Sequence, residues 1–93
     1  MSSRYEVQIA RRALKTLNSL ERREQQRMRA AIDLLAEQPR PPACVALAGE
    51  DDVYRVGVGD YRIVYEIVDR RLLILVVLDR HLVRVGHRRD VYR

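Results

Sequence analysis

The sequence predicts a small α+β domain in which an N-terminal strand and a helical pair pack on a mainly antiparallel β-sheet. Three observations predict this fold class. Apolar residues recur at helical spacing between Ala10 and Leu35, and a cluster of prolines then interrupts the chain. From Tyr54 onward, apolar and polar residues alternate as they do in strands. The length of 93 residues is that of one domain.

One strand and two helices are predicted in the N-terminal half. Residues 5–9 alternate enough to form a short strand. A first helix follows, with apolar positions at Ala10, Ala13, Leu14, Leu17 and Leu20. Asn18 and Glu21 have the spacing of a capping box, which predicts that the second helix begins there. That helix ends near Gln38, since prolines follow, and its apolar stripe consists of Met28, Ala31, Ile32, Leu34 and Leu35.

The C-terminal half is predicted to be sheet. After a loop to about Asp52, residues 54–67 (YRVGVGDYRIVYEI) alternate with period two. The alternation is interrupted only at Gly59 and Asp60, a pair suited to a two-residue hairpin turn. Residues 72–78 (LLILVVL) form a continuous apolar run. Such a run is typical of a strand covered on both faces, lying centrally or under the helices.

A turn at this position also determines the register of the hairpin. Gly57 then lies opposite Arg62, and Arg55 lies opposite Val64. The apolar face predicted to be core carries Tyr54, Val56, Val58, Tyr61, Ile63, Tyr65 and Ile67. On the other face, Arg55 and Arg62 are diagonal neighbours about 7–8 Å apart, and the gap could admit a phosphate. Alternatively, they decorate an exposed surface with Glu66 as counter-ion.

The net charge of +5 is concentrated at the C-terminus. Residues 80–93 contain one acid, Asp90, and five arginines, which gives this segment a net charge of +4: Arg80, Arg84, Arg88, Arg89 and Arg93. A cationic segment indicates an anionic partner, such as nucleic acid or an acidic protein. Solubility or a base-composition bias would also explain it.

Several protein classes are excluded at this stage. No apolar run is long enough to span a membrane, and the N-terminus lacks a signal-peptide pattern. The single cysteine, Cys44, fits a reducing compartment, so we expect a cytoplasmic protein without membrane contact. Two histidines and one cysteine without ligand spacing predict no metal site.

Together, hairpin and tail resemble the RelE family of bacterial toxins, within the RelE/ParE superfamily. The likeness extends over nearly the whole chain: the helical pair, LAG at 47–49, YRVGVGDYRIVYEI, the apolar strand and VGHRRDVYR at 85–93. It implies a single RelE-like domain over residues 1–93 and a cofactor-free endonuclease that cleaves messenger RNA in the ribosomal A site. It also implies a co-expressed RelB-like antitoxin that inactivates the toxin in a hetero-oligomer.

The resemblance also implies site residues. The catalytic set it implies is Arg62, His87, Arg88 and Tyr92, and the substrate-binding set is Arg55, Arg84 and Arg89. Cleavage by such a site needs no metal, because the RNA 2′-hydroxyl attacks the adjacent phosphate. Histidine suits proton transfer, and arginines clamp the charged phosphate. Tyr92 either stacks on a base or transfers a proton.

Two departures from the family pattern leave alternatives open. Gly57 stands where a second basic residue is usual, so one phosphate contact is lost. Residues 78–83 (LDRHLV) look like an extra segment, which makes His81 a competitor of His87 for proton transfer. The alternatives are a toxin like the ParE branch, which inhibits DNA gyrase, and a degenerate toxin that only binds its antitoxin.

Overall fold

The computed structural model describes residues 4–79, which form two helices and a five-stranded sheet. Strand β1 (Glu6–Ile9) is followed by helices α1 (Arg11–Ser19) and α2 (Arg22–Glu37). Four strands complete the sheet: β2 (Val45–Ala46), β3 (Val53–Val58), β4 (Tyr61–Val68) and β5 (Arg71–Asp79). The predicted α+β fold class is confirmed. Within the described stretch, neither helix is long and apolar enough to cross a membrane.

The strands are arranged in the order β1-β5-β4-β3-β2. β1 pairs with β5 in parallel, whereas the other neighbouring strands are antiparallel. The apolar run is therefore β5, which lies between β1 and β4, as predicted. A bulge interrupts its pairing with β4, because Tyr65 pairs with Ile74 while Val64 pairs with Val76. Leu75 is the extra residue.

Both helices cover one face of the sheet and form the core with it. α1 contributes Ala13 and Leu17, and α2 contributes Met28, Ile32, Leu35 and Ala36. The sheet contributes Ile63, Tyr65, Ile67, Leu72, Ile74 and Val77. The remaining residues predicted for the core face of the hairpin pack against this cluster as partly buried side chains: Tyr54, Val56, Val58 and Tyr61. The predicted core face is confirmed.

Two expectations for α2 are wrong. No capping box forms, because Asn18 still belongs to α1 and the N-cap residue of α2 is Glu21, without a side-chain cap. Leu34 is 67% exposed, whereas Ala36 is fully buried. The buried positions Met28, Ile32, Leu35 and Ala36 follow the spacing of one helix face, and Leu34 lies about 100° away from Leu35 around the axis.

The segment predicted as a loop contains strand β2. Its two residues, Val45 and Ala46, are exposed and pair with Arg55 and Tyr54 of β3. A strand this short contains too few residues for periodicity to reveal it. The missed strand extends the sheet at its β3 edge.

Buried and exposed hydrogen bonds hold the proline segment against the sheet. The Tyr65 hydroxyl donates to the Pro39 carbonyl at 2.7 Å in a buried contact. Arg40 donates to the Tyr54 hydroxyl at 2.9 Å and to an Asp52 carboxylate oxygen at 3.1 Å. The Tyr54 and Tyr65 rings stack with centroids 5.9 Å apart. These contacts fix both ends of the connection between α2 and β3.

Replacing Tyr65 with phenylalanine is expected to lower the free energy of unfolding by about 1–2 kcal/mol, because the buried Pro39 carbonyl loses its donor. Urea unfolding monitored by circular dichroism measures the change. Tyr5→Phe is the matched control, since the Tyr5 ring contacts Arg70 but its hydroxyl makes no hydrogen bond within residues 4–79. Equal losses for the two variants would contradict the assigned bond.

Stability is also expected to fall in alkaline solution. Burial raises the pKa of the Tyr65 hydroxyl well above its ordinary value of 10.0, and the neighbouring Cys44 thiol raises that pKa further. The folded state therefore favours the protonated hydroxyl. The contribution of this hydroxyl to the free energy of unfolding is fully present below about pH 10 and is lost as the pH rises further. Urea-unfolding midpoints are measured from pH 8 to pH 11 in steps of about half a pH unit. They should decline less steeply with pH in Tyr65→Phe than in the wild type.

Candidate functional site

The hairpin has the register that its turn predicted. Gly57 pairs with Arg62 and Arg55 pairs with Val64, with the remaining pairs in the same register. Gly59 has a φ of +60°, as the first central residue of a type II′ turn requires. A Cβ atom at this position would lie 2.6 Å from an Arg27 guanidinium nitrogen, so α2 closely approaches the turn.

Arg55 and Arg62 lie on the sheet face opposite the helices. Ile63 and Tyr65 point into the core, so the alternating position Arg62 points away from it. Both arginines are half-buried, and neither makes an ion pair or hydrogen bond with another residue of the described range. Glu66 is likewise unpaired there, so it is not their counter-ion. Within residues 4–79, these two guanidinium groups have no counter-ion and can bind an anion.

The end of β5 lies next to this arginine pair. Leu78 pairs with Arg62, and Asp79 pairs with Tyr61 beside the hairpin turn. Burial raises the pKa of the Tyr61 hydroxyl, and the carboxylates of Asp79 and Glu24 raise it further. The hydroxyl therefore stays protonated at neutral pH. The last described residue, Asp79, thus lies next to the hairpin turn.

The predicted tail residues lie outside the described range 4–79: His81, Arg84, His87, Arg88, Arg89 and Tyr92. Their roles, including the competition between the two histidines, stay predictions. Of the predicted set, the structure brings Arg55 and Arg62 to one face. No three histidine, cysteine, aspartate or glutamate side chains of residues 4–79 come together as metal ligands would.

A groove on the same sheet face was missed by the sequence analysis. This sheet groove has a volume of about 490 Å³ and is lined by Arg12, Leu47, Ala48, Glu50, Val53, Val64, Glu66, Leu75 and Val76. Its wall comes from the LAG segment, where the Leu47 amide donates to the Val53 carbonyl and Gly49 has a φ of +81°. Since Arg55 pairs with Val64, the arginine pair borders the groove.

Comparisons with known proteins agree with this architecture. The family described as the ParE toxin of the type II toxin-antitoxin system, parDE, matches residues 7–92. The archaeal RelE–RelB complex from Pyrococcus horikoshii OT3 contains a similar chain, with 31% identity and a TM-score of 0.73. That match covers 82% of this chain and 94% of the other.

Two E. coli structures are also similar. The isolated RelE toxin has 25% identity and a TM-score of 0.72, over 81% of this chain and 83% of the other. The intact RelBE complex has 25% identity and a TM-score of 0.72, over 81% of this chain and 95% of the other. No curated protein matches the sequence.

Adding a guanidinium at Gly57 is expected to strengthen binding of single-stranded RNA. Gly57 is exposed opposite Arg62, so Gly57→Arg places a third cation at the pair. The slope of log affinity against log salt should become steeper by about 0.7, measured by fluorescence anisotropy. Ala43→Arg, in an exposed loop, adds the same charge elsewhere. Equal gains in both variants would mean that net charge alone sets the affinity.

Proposed function

The chain belongs to the RelE/ParE superfamily and is a toxin of a type II toxin-antitoxin system, and we propose that it cleaves messenger RNA in the ribosomal A site without a metal ion. The observation that carries this proposal is the arginine pair. Arg55 and Arg62 lie diagonally on the sheet face opposite α1 and α2, unpaired within the described residues, beside the end of β5. The similarity to solved RelE toxins supports the same activity.

The arginine pair suits the electrostatic part of the reaction. The 2′-hydroxyl oxygen attacks the adjacent phosphorus and forms a new P–O bond, while the bond between phosphorus and the 5′-oxygen breaks. The products are a cyclic phosphate and a 5′-hydroxyl. Negative charge accumulates on the phosphoryl oxygens in the transition state. Guanidinium groups stay charged at any physiological pH and donate several N–H groups, so Arg62 stabilises that charge and Arg55 holds the flanking phosphate.

The basic tail supplies the remaining groups in this proposal. His87 transfers the proton, since histidine is the side chain whose ordinary pKa is closest to neutral, and His81 is the alternative. Arg88 joins Arg62 on the scissile phosphate. Arg84 and Arg89 bind the RNA backbone, and Tyr92 stacks on a base or transfers a proton. The pairing of Leu78, near the end of β5, with Arg62 favours this arrangement.

A RelB-like antitoxin is the proposed protein partner. The similar chains from P. horikoshii and E. coli were solved in complexes with RelB. The net charge of +5 favours an acidic partner that covers the arginines and thereby blocks RNA. Toxin and antitoxin then form an inactive hetero-oligomer.

Inhibition of DNA gyrase is the second candidate, and the match to the ParE family favours it. Gly57 supports a third outcome, a toxin that binds its antitoxin without cleaving RNA, since the family pattern that the hairpin resembles implies a second basic residue at this position. The arginine pair favours cleavage over both. Arg55 and Arg62 are diagonal neighbours on one sheet face, so one RNA segment can contact both guanidinium groups.

Arg62→Ala is expected to reduce messenger cleavage by about 10²–10³-fold, because one transition-state donor is removed. The readout is the mapping of messenger 5′ ends after induction, where cuts with codon periodicity identify cleavage on ribosomes. Arg71→Ala is the matched control, since Arg71 is an exposed strand arginine at the other end of the sheet. Arg71→Ala should cleave messenger RNA as the wild type does. A chelator should not reduce cleavage by either protein, because the proposed reaction uses no metal ion.

Other results would replace the proposal. Inhibited supercoiling with intact messages would assign the chain to the gyrase inhibitors. Intact messages, normal supercoiling and retained antitoxin binding would identify a degenerate toxin. Co-purification of each variant with the antitoxin checks that it is folded.

A further inference from the structure

We infer that the sheet groove is a nucleobase pocket and that Glu66 makes it selective for guanine. The inference rests on the proposed function, because it assigns a base-binding subsite next to the proposed phosphate site. Three features of the sheet face opposite α1 and α2 support it: the distribution of charge, the spacing between the charges, and the apolar floor between them.

The charged side chains on the sheet face opposite α1 and α2 change sign along the hairpin. Arg55 and Arg62 lie towards the turn, whereas the sheet groove is lined by two carboxylates, Glu50 and Glu66, and by one cation, Arg12 of α1, so that its lining carries a net negative charge. Neither the two hairpin arginines nor the two glutamates make a side-chain ion pair or hydrogen bond with another residue in the range 4–79. Carboxylates repel phosphate and accept hydrogen bonds from N–H groups. An RNA strand on this face therefore places a phosphate on the arginines and a base in the groove.

The separation between the two charged zones suits one nucleotide. Arg62 and Glu66 lie on the same side of β4, each two residues and about 6–7 Å from Val64. Arg55 pairs with Val64 between them. A base and its phosphate are linked through a single ribose, so a phosphate held by the arginines brings its own base over Val64.

The floor of the sheet groove suits the flat surface of a base. Val53 and Val64 are 7% and 5% exposed, respectively, although α1 and α2 pack on the other face and only the Arg12 side chain of α1 reaches the groove among the described helical residues. Leu75 and Val76 extend the apolar surface towards β5, and the exposed Ala48 lies in the opposite wall. A planar base packed on these side chains keeps its other face in water. The edge of the base then reaches the Glu66 carboxylate. An apolar pocket with few polar groups is typical of small-ligand sites.

Carboxylate chemistry selects one base among four. A carboxylate offers two acceptors and no donor. Guanine presents two adjacent N–H donors on its pairing edge and can bond both carboxylate oxygens. Adenine and cytosine present one donor beside an acceptor that the carboxylate repels, and uracil presents a single N–H between two carbonyls. Glu66 is thus a specificity-determining residue, and Glu50 adds a second acceptor at the exposed rim.

Binding of non-cleavable RNA tests the inference apart from catalysis. The probes are 2′-O-methylated trinucleotides with adenosines at both ends and each of the four bases in the middle, titrated against the full-length chain. The guanine probe should bind about tenfold more tightly than the adenine probe, because adenine cannot form the bidentate hydrogen bonds to Glu66. Glu66→Gln should abolish that preference. Ala48→Phe, which fills the sheet groove from its exposed wall, should weaken the guanine probe about tenfold.

Matched controls separate the pocket from general effects. Glu6→Gln removes a carboxylate from an exposed position of β1, and Ala43→Phe adds a ring to an exposed loop outside the groove. Both should bind all probes as the wild type does. Arg62→Ala should weaken all four probes equally, because it removes a phosphate contact without affecting base choice.

Four results would overturn the inference. Equal affinity for all four bases, or an unchanged guanine preference in Glu66→Gln, refutes it, while loss of affinity in Arg62→Ala still supports the proposed phosphate site. If Ala48→Phe leaves RNA affinity intact but prevents antitoxin binding, the sheet groove is a protein-docking surface. If no probe binds the folded wild-type chain, the base pocket and the proposed RNA site are both wrong.

Discussion

The two-residue turn at Gly59 and Asp60 determines which side chains of the β3–β4 hairpin enter the core and which face away from the helices. Glycine at the position with positive φ permits this turn without a Cβ clash, and the turn sets the register of every pair in the ladder. A slip of one residue would place Arg62 in the core and Ile63 on the outer face. The hydrophobic cost of that exchange keeps the arginine pair on one surface.

Within the described residues, both helices pack on one face of the sheet, which leaves the other face available for function. The helices bury apolar side chains of β4 and β5 on one side, and the pleat then presents Arg55, Arg62 and Glu66 on the opposite side. The charges are not neutralised by one another within the described residues. Such an arrangement costs little while the groups are hydrated, and it leaves their electrostatic attraction for a ligand that is itself charged.

The segment between α2 and β3 links stability to the shape of this face. At the end next to α2, the buried Tyr65 hydroxyl donates to the Pro39 carbonyl. At the end next to β3, Arg40 donates to Asp52 and to the Tyr54 hydroxyl. Between these anchors, the short strand β2 and the LAG turn form one wall of the sheet groove. Tyr65, on the core face, thus helps to position the groove wall on the opposite face, because both contact the segment that connects α2 to β3.

The local pattern of the sequence determined the helices, the hairpin register and the placement of Arg55 and Arg62 on a common face, because turn chemistry and period-two alternation act over neighbouring residues. Long-range packing decided the rest. The exposure of Leu34, the bulge at Leu75 and the two-residue strand β2 depend on which partner each segment meets. The sheet groove depends on the LAG segment folding over Val53 and Val64. A cavity is formed by atoms distant in the chain, so no local pattern encodes its presence.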